Sequence, residues 1–102
     1  MTSLPSKYME YFAGTGPKEG SLAVDPGWFQ LWAPDEIVGL NESYKVSEYA
    51  VGFVGFGSSG GGEMLAFDQL ARVFMLPFVG MSPQYARLVA ESWDEFVAKI
   101  EK

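Results

Sequence analysis

"VGFVGFGSSGGGEMLAFD", residues 51–68, places two runs of β-forming residues on either side of a glycine-serine tract. Gly55, Gly57 and Gly60 satisfy the G-x-G-x-x-G spacing of a dinucleotide-binding loop. Such a loop needs a helix that begins at its third glycine, because the pyrophosphate binds the free amides of that helix. Here "EMLAFD" follows, which alternates as a strand does, and no Gly-Lys-Ser/Thr ending of a P-loop is present. The tract therefore predicts a flexible hairpin turn in which glycines supply positive φ.

The first of these two runs, "YAVGFVGFG", begins at Tyr49, and further strands extend the hairpin. "RVFMLPF", residues 72–78, follows a brief turn at 69–71, so that three successive runs predict an antiparallel meander. "WFQLWA", residues 28–33, predicts another strand, which Pro34 ends because it lacks a backbone donor. Residues 15–27 read as a loop with a short extended piece at 22–24, and the segment after Ser82-Pro83 fits either a helix or an extended chain.

Three helices are predicted around the sheet. The first lies within residues 3–14 and ends in a left-handed cap at Gly14, and the second begins at Pro34 and ends near Ser43. In the last, Ser92 and Glu95 match a capping box, and one face carries Trp93, Phe96, Val97 and Ile100. Because only the terminal helices are long and amphipathic enough, we expect them to cover the sheet. The predicted fold is a single α+β domain over residues 1–102, with a central antiparallel sheet flanked by N-terminal and C-terminal helices.

Composition excludes several kinds of chemistry. The 102 residues contain no cysteine and no histidine, which excludes disulfides, thiolate or Ser-His-Asp catalysis and ordinary zinc sites. No apolar run is long enough to span a membrane, and the start lacks the basic-then-apolar order of a secretion signal, so we expect a cytoplasmic protein. Thirteen acidic and seven basic residues give a net charge of −6, which disfavours direct nucleic-acid binding and favours basic partners.

Carboxylates are the remaining candidates for catalysis or for metal binding. Glu63 and Asp68 lie five positions apart on one strand, so they point to opposite faces and form no pair there. Asp25, Asp35 and Glu36 could still converge from loops, but no D-x-D-x-D-G spacing of a metal loop is present. We interpret these acids as solvated and predict no catalytic residue, metal or cofactor. A carboxylate enzyme would instead lose turnover when Glu63 or Asp68 is replaced by its amide.

Aromatic and methionine side chains allow two interpretations. They could line a ligand pocket, but a small domain needs large apolar side chains in its core, and we predict core packing. The residues concerned are Trp28, Phe29, Trp32, Phe53, Phe56, Phe74, Phe78, Met64, Met75 and Met81.

The segment from residue 35 to residue 48 is acidic. Four carboxylates, those of Asp35, Glu36, Glu42 and Glu48, accompany the single Lys45. A solvated helix face explains this pattern by itself. The alternative is an acidic surface that binds a partner.

The order of these motifs resembles the SUKH superfamily, which groups fungal cell-wall-assembly regulators with bacterial toxin-immunity proteins. The resemblance spans almost the whole chain, from "LPSKYMEYF" to "VAESWDEFVAKI". Its most specific parts are family-motif positions that we expect to be structural: Gly60, Gly61, Gly62, Glu63, Phe67, Asp68, Ser92 and Trp93. Longer members have a further helix ahead of the Leu-Pro motif, whereas this chain starts almost at Leu4-Pro5, which would leave a surface exposed or available for pairing.

The resemblance implies an α+β fold without established enzymatic activity. Bacterial single-domain members act largely as immunity proteins of polymorphic toxin systems, which bind and neutralise a cognate toxin, often a nuclease. We therefore expect a protein-binding module, a monomer or a homodimer, whose acidic residues 35, 36, 42 and 48 contact a basic toxin. The alternative is a small-molecule-binding or regulatory domain that uses the aromatic sheet face or the glycine loop.

Overall fold

A computed structural model describes residues 4–101 as a small α+β domain with one six-stranded antiparallel sheet. Ser3 and Lys102, the outer residues of two predicted helical segments, lie outside the described residues. The strands are β1 (Glu19–Ser21), β2 (Trp28–Leu31), β3 (Val54–Ser58), β4 (Glu63–Phe67), β5 (Val73–Pro77) and β6 (Arg87–Ala90). The helices are α1 (Ser6–Ala13), α2 (Pro34–Ser43), α3 (Val46–Tyr49) and α4 (Trp93–Ala98), with a 3₁₀ turn at Pro83–Tyr85. The strands are ordered β1-β2-β3-β4-β5-β6, so the entire sheet is a meander.

The glycine-serine tract forms the predicted hairpin. Ser58 lies opposite Met64 in the β3–β4 register, and the amide of Ser59 donates to the carbonyl of Glu63 at 2.9 Å. No helix begins at Glu63, where β4 starts. Within the tract only Gly60 has a positive φ, of 79°, so the predicted role of glycine in the turn is confirmed at that position alone.

The other strand predictions are confirmed in part. β2 and β5 fall within the predicted runs at 28–33 and 72–78. The extended piece predicted at 22–24 is wrong, because the strand lies earlier, at Glu19–Ser21, and Leu22 forms only an isolated bridge with Ile100. The undecided segment after Ser82 contains the 3₁₀ turn and then β6. Helix α3 was not predicted.

Both predicted caps differ from expectation in detail. Gly14 has an extended backbone, with φ −88°, so a left-handed cap is wrong there. The Nζ of Lys18 instead donates to the carbonyls of Tyr11 and Gly14, at 3.3 and 3.0 Å, at the end of α1. At α4 the Ser92 hydroxyl accepts from the amide of Glu95, as a capping box requires, but the carboxylate of Glu95 accepts from Glu91 and not from Ser92.

Two layers of side chains cover the sheet. The first face packs against α1 and α4, through buried residues such as Tyr8, Trp93 and Phe96. The second face packs against α3, where Val46 and Ala50 are buried with the side chains of β4 and β5. The terminal helices therefore cover one face only. The second face is covered by α3, by Tyr44 directly after α2, and by the segment around the 3₁₀ turn, which contributes Met81 and Ala86.

None of the helices in the described part of the chain combines the length and the apolar character that a bilayer crossing requires.

Candidate functional site

Helix α2 positions three of the four candidate carboxylates. Pro34 occupies its first position with Asp35 and Glu36 in the first turn, where the helix dipole favours negative charge. Ile37 is buried in the core, so the helix turns its opposite side to solvent. On that side Asp35 and Glu42 are exposed and lie seven positions apart, which places them on one helical stripe.

Helix α3 positions the fourth carboxylate. Lys45 adopts a left-handed backbone, with φ 56°, and this turn separates α2 from α3. Val46 in α3 and Ala50 at its end are buried against the sheet. Glu48 therefore lies on the outward side of α3 and is exposed. The structure therefore does not gather the four acids into one compact cluster. They lie along two consecutive helices on the outside of the domain.

Within residues 4–101 these carboxylates form no ion pair. The ion pairs within residues 4–101 join Lys7 to Asp94, Arg72 to Asp68, and Arg87 to Glu63. The carboxylate of Glu36 accepts a hydrogen bond from the amide of Ala33, at 3.3 Å, at the start of α2. The charges of Asp35, Glu36, Glu42 and Glu48 are thus available to act on an approaching molecule.

Exposed apolar side chains accompany these acids within residues 35–51. Val38, on α2, is 68% exposed, and Val51, just after α3, is 70% exposed. Tyr44 and Tyr49 are also exposed, at 41% and 49%. We name these four side chains and the four carboxylates the α2–α3 surface. The sequence does not predict its apolar part, because residues 49 and 51 belong to a run that is typical of a strand.

The family-motif residues have structural partners. Gly60, Gly61 and Gly62 form the exposed β3–β4 turn. Glu63 faces Arg87, with 3.7 Å between the charged atoms, whereas the Asp68 carboxylate accepts from the amides of Leu70 and Arg72 and pairs with the Arg72 guanidinium at 2.7 Å. Glu63 and Asp68 therefore act separately, as their spacing predicts. Phe67 and Trp93 are buried together beside Tyr8, and Ser92 caps α4.

Half of the ten predicted core residues are buried. Phe29, Phe56 and the three methionines lie in the interior. Trp32, Phe53, Phe74 and Phe78 are only partly buried and border the second face. Trp28 is an exception, because 38% of its surface is exposed beside the glycine turn.

An open depression of about 440 Å³ lies between α1 and α4. Tyr11, Trp93 and Val97 contribute apolar surface, and Lys7 and Asp94 form an ion pair beside it. The hydrogen bond to Asp94 raises the pKa of Lys7, and burial raises that of Tyr11. Within residues 4–101 no group of three acidic side chains has an arrangement that could hold a metal ion.

Comparison with models of known protein families and with curated proteins gave no match. The SUKH resemblance therefore stays a prediction.

Proposed function

We propose that this chain is a non-enzymatic protein-binding module of SUKH type. It acts in the cytoplasm as an immunity-type protein that neutralises a basic toxin. The observation that supports this function is the α2–α3 surface, where four exposed carboxylates, unpaired by any cation of the described chain, accompany exposed tyrosine and valine side chains.

The negative charge of the surface accounts for the choice of a basic partner and for fast association with it. A nuclease must be cationic to hold phosphate, so an acidic inhibitor is steered toward it by electrostatic attraction. The same negative charge repels acidic proteins and so reduces binding to wrong partners. The apolar part of the surface supplies contact area, and tyrosine is enriched at protein interfaces because it combines a large apolar ring with a hydroxyl. Carboxylates and tyrosines within one short segment thus supply steering and contact together.

Co-expression with the product of the adjacent gene tests this function. We expect that product to be a basic toxin, to co-purify with this chain and to lose its toxicity in its presence. An adjacent gene product that is not toxic, with no basic protein co-purifying, would remove the support for the proposal.

A matched pair of variants separates the effect of the α2–α3 surface on binding from the effect of the net charge of the chain. The first variant replaces the four candidate acids by their amides, Asp35→Asn, Glu36→Gln, Glu42→Gln and Glu48→Gln. The second makes the same change at four other exposed acids, Glu10→Gln, Glu19→Gln, Asp25→Asn and Glu101→Gln. Each removes four negative charges, which takes the net charge from −6 to −2. Only the first should abolish protection against the toxin.

A further inference from the structure

The two faces of the sheet are covered unequally. On the first face α1 and α4 contribute eight and six residues of helix. On the second face α3 contributes four, and within the described residues only Tyr44, directly after α2, and a 3₁₀ turn of three residues lie beside it. These short elements leave the aromatic side chains of this face, Trp32, Phe53, Phe74 and Phe78, only partly buried.

Aromatic and apolar side chains border α3 on this second face. Tyr44 packs against Phe78, with ring centroids 4.6 Å apart, and lies 6.1 Å from Trp32. Leu88 of the edge strand β6 is the register partner of Phe74 and is 47% exposed. Together with Tyr49 these side chains leave an apolar surface unpartnered within the described chain.

The charge of this surface limits what can cover it. Glu48 is exposed on the outward side of α3, with Lys45 as the cation of the same segment. Arg72, whose guanidinium lies 5.4 Å from the centre of the Phe74 ring, is already paired with Asp68 at 2.7 Å. A symmetric dimer joins the same surface of two copies, and here each copy carries a net charge of −6, so the two chains repel each other. A second copy is therefore disfavoured, and a cationic partner is complementary.

We propose that the second face, through Tyr44, Tyr49 and Leu88, is the anchoring surface for a basic protein that presents apolar side chains among its lysines or arginines. This inference rests on the proposed function and adds a division of roles to it. Asp35 and Glu42 on α2 steer the partner, and the second face holds it after contact.

An amphipathic helical peptide of leucine and lysine provides a probe that does not require the natural partner. Amide chemical shifts in a titration of the full chain should move at residues 44–50 and 86–90. Leu88→Gln should weaken binding about fivefold or more, as should Tyr49→Gln, since hot-spot truncations have effects of this size. Met9→Gln is the matched control, because Met9 is 44% exposed but lies on α1. It should bind as the parent does.

Three outcomes would overturn the inference. If the shifts move only along α2 and Leu88→Gln binds like Met9→Gln, the second face is not the anchor, although the proposed function stands. If a leucine and glutamate peptide binds equally well, charge does not select the partner, and both proposals fail. If sedimentation shows a dimer that Leu88→Gln dissociates, a second copy occupies the face instead.

Discussion

Asn41 and Gly55 exchange two hydrogen bonds that join helix α2 to strand β3. The amide of Gly55 donates to Oδ1 of Asn41 at 2.8 Å, and Nδ2 of Asn41 donates to the carbonyl of Gly55 at 2.9 Å. The same Nδ2 also donates to the carbonyl of Ile37 at 2.8 Å. The β3–β4 register shifts between Gly55 and Gly57, so one side chain satisfies the backbone at an irregular point of the sheet. It thereby fixes the acidic helix on the domain.

Asn41→Ala should destabilise the domain by about 2 kcal/mol, because it leaves backbone groups of Gly55 without partners. Urea unfolding measures this change, and hydrogen exchange of the Gly55 amide should accelerate in the folded state. Ser43→Ala, at an exposed position of the same helix, is the control and should change stability by less than about 0.5 kcal/mol. Equal stability of the two variants would contradict the role of Asn41.

Gly57→Ala should be far more damaging than Gly62→Ala. A Cβ at Gly57 would clash with the backbone carbonyl of Gln30, whereas a Cβ at Gly62 meets nothing within 4 Å. We expect Gly57→Ala to lower the free energy of unfolding by about 3 kcal/mol or to prevent folding, and Gly62→Ala to be nearly neutral. Thermal unfolding of both variants measures the difference. If both variants are neutral, the close approach of β2 and β3 is wrong.

Asp68→Asn and Glu63→Gln should differ in stability. Asp68 accepts two backbone amides and pairs with Arg72 while only 12% of its side chain is exposed, so its amide variant should lose about 1 to 2 kcal/mol. Glu63 forms a longer and more exposed pair, and its variant should lose less than about 0.5 kcal/mol. Urea titrations test this order. The reverse order would show that the Asp68 turn is not held by its carboxylate.

Tyr8 should give stability a dependence on alkaline pH. Its buried hydroxyl donates to the carbonyl of Trp32 at 2.7 Å and lies 3.1 Å from that of Phe56, and burial raises its pKa. Because the folded pKa lies above the unfolded value of about 10, this contribution is complete below about pH 10 and is lost as the pH rises further.

Tyr8→Phe should therefore lower stability by about 2 kcal/mol at neutral pH, and the difference from the parent should shrink above about pH 10. Urea unfolding at a series of pH values provides the measurement. Tyr49→Phe, at an exposed ring, is the control for the loss of one hydroxyl. If the stability difference between the parent and Tyr8→Phe grows as the pH rises above about 10, the buried Tyr8 hydroxyl does not stabilise the fold in the way described.

Long, strongly patterned segments could be predicted from the sequence. The hairpin from β3 to β4, strand β5, and helices α1, α2 and α4 follow from periodicity, proline positions and the Ser92 cap. Strand β1 could not be predicted, because "EGS" contains no β-forming residue and pairs only through its backbone with β2. Helix α3 is a single turn that depends on the left-handed backbone of Lys45, which no residue pattern indicated.

The charged residues of the candidate site could be predicted from the sequence, and its exposed apolar residues could not. Formal charges are visible in the sequence, so the exposed carboxylates of α2 and α3 could be named. The exposure of Val38, Tyr44, Tyr49 and Val51 depends on which side each helix turns to the sheet, and the sequence predicts a strand at residues 49–51. Leu88 belongs to a segment for which helical and extended structure were equally compatible with the sequence.

The association rate of the chain with its basic partner, measured by stopped-flow fluorescence at several salt concentrations, tests the central claim most directly. At low salt, amide replacement of Asp35, Glu36, Glu42 and Glu48 should slow association about tenfold or more, and the control variant at residues 10, 19, 25 and 101 should slow it much less. High salt should remove the difference, because it screens exposed charges. Equal rates for the two variants at low salt would contradict a steering role for the α2–α3 surface.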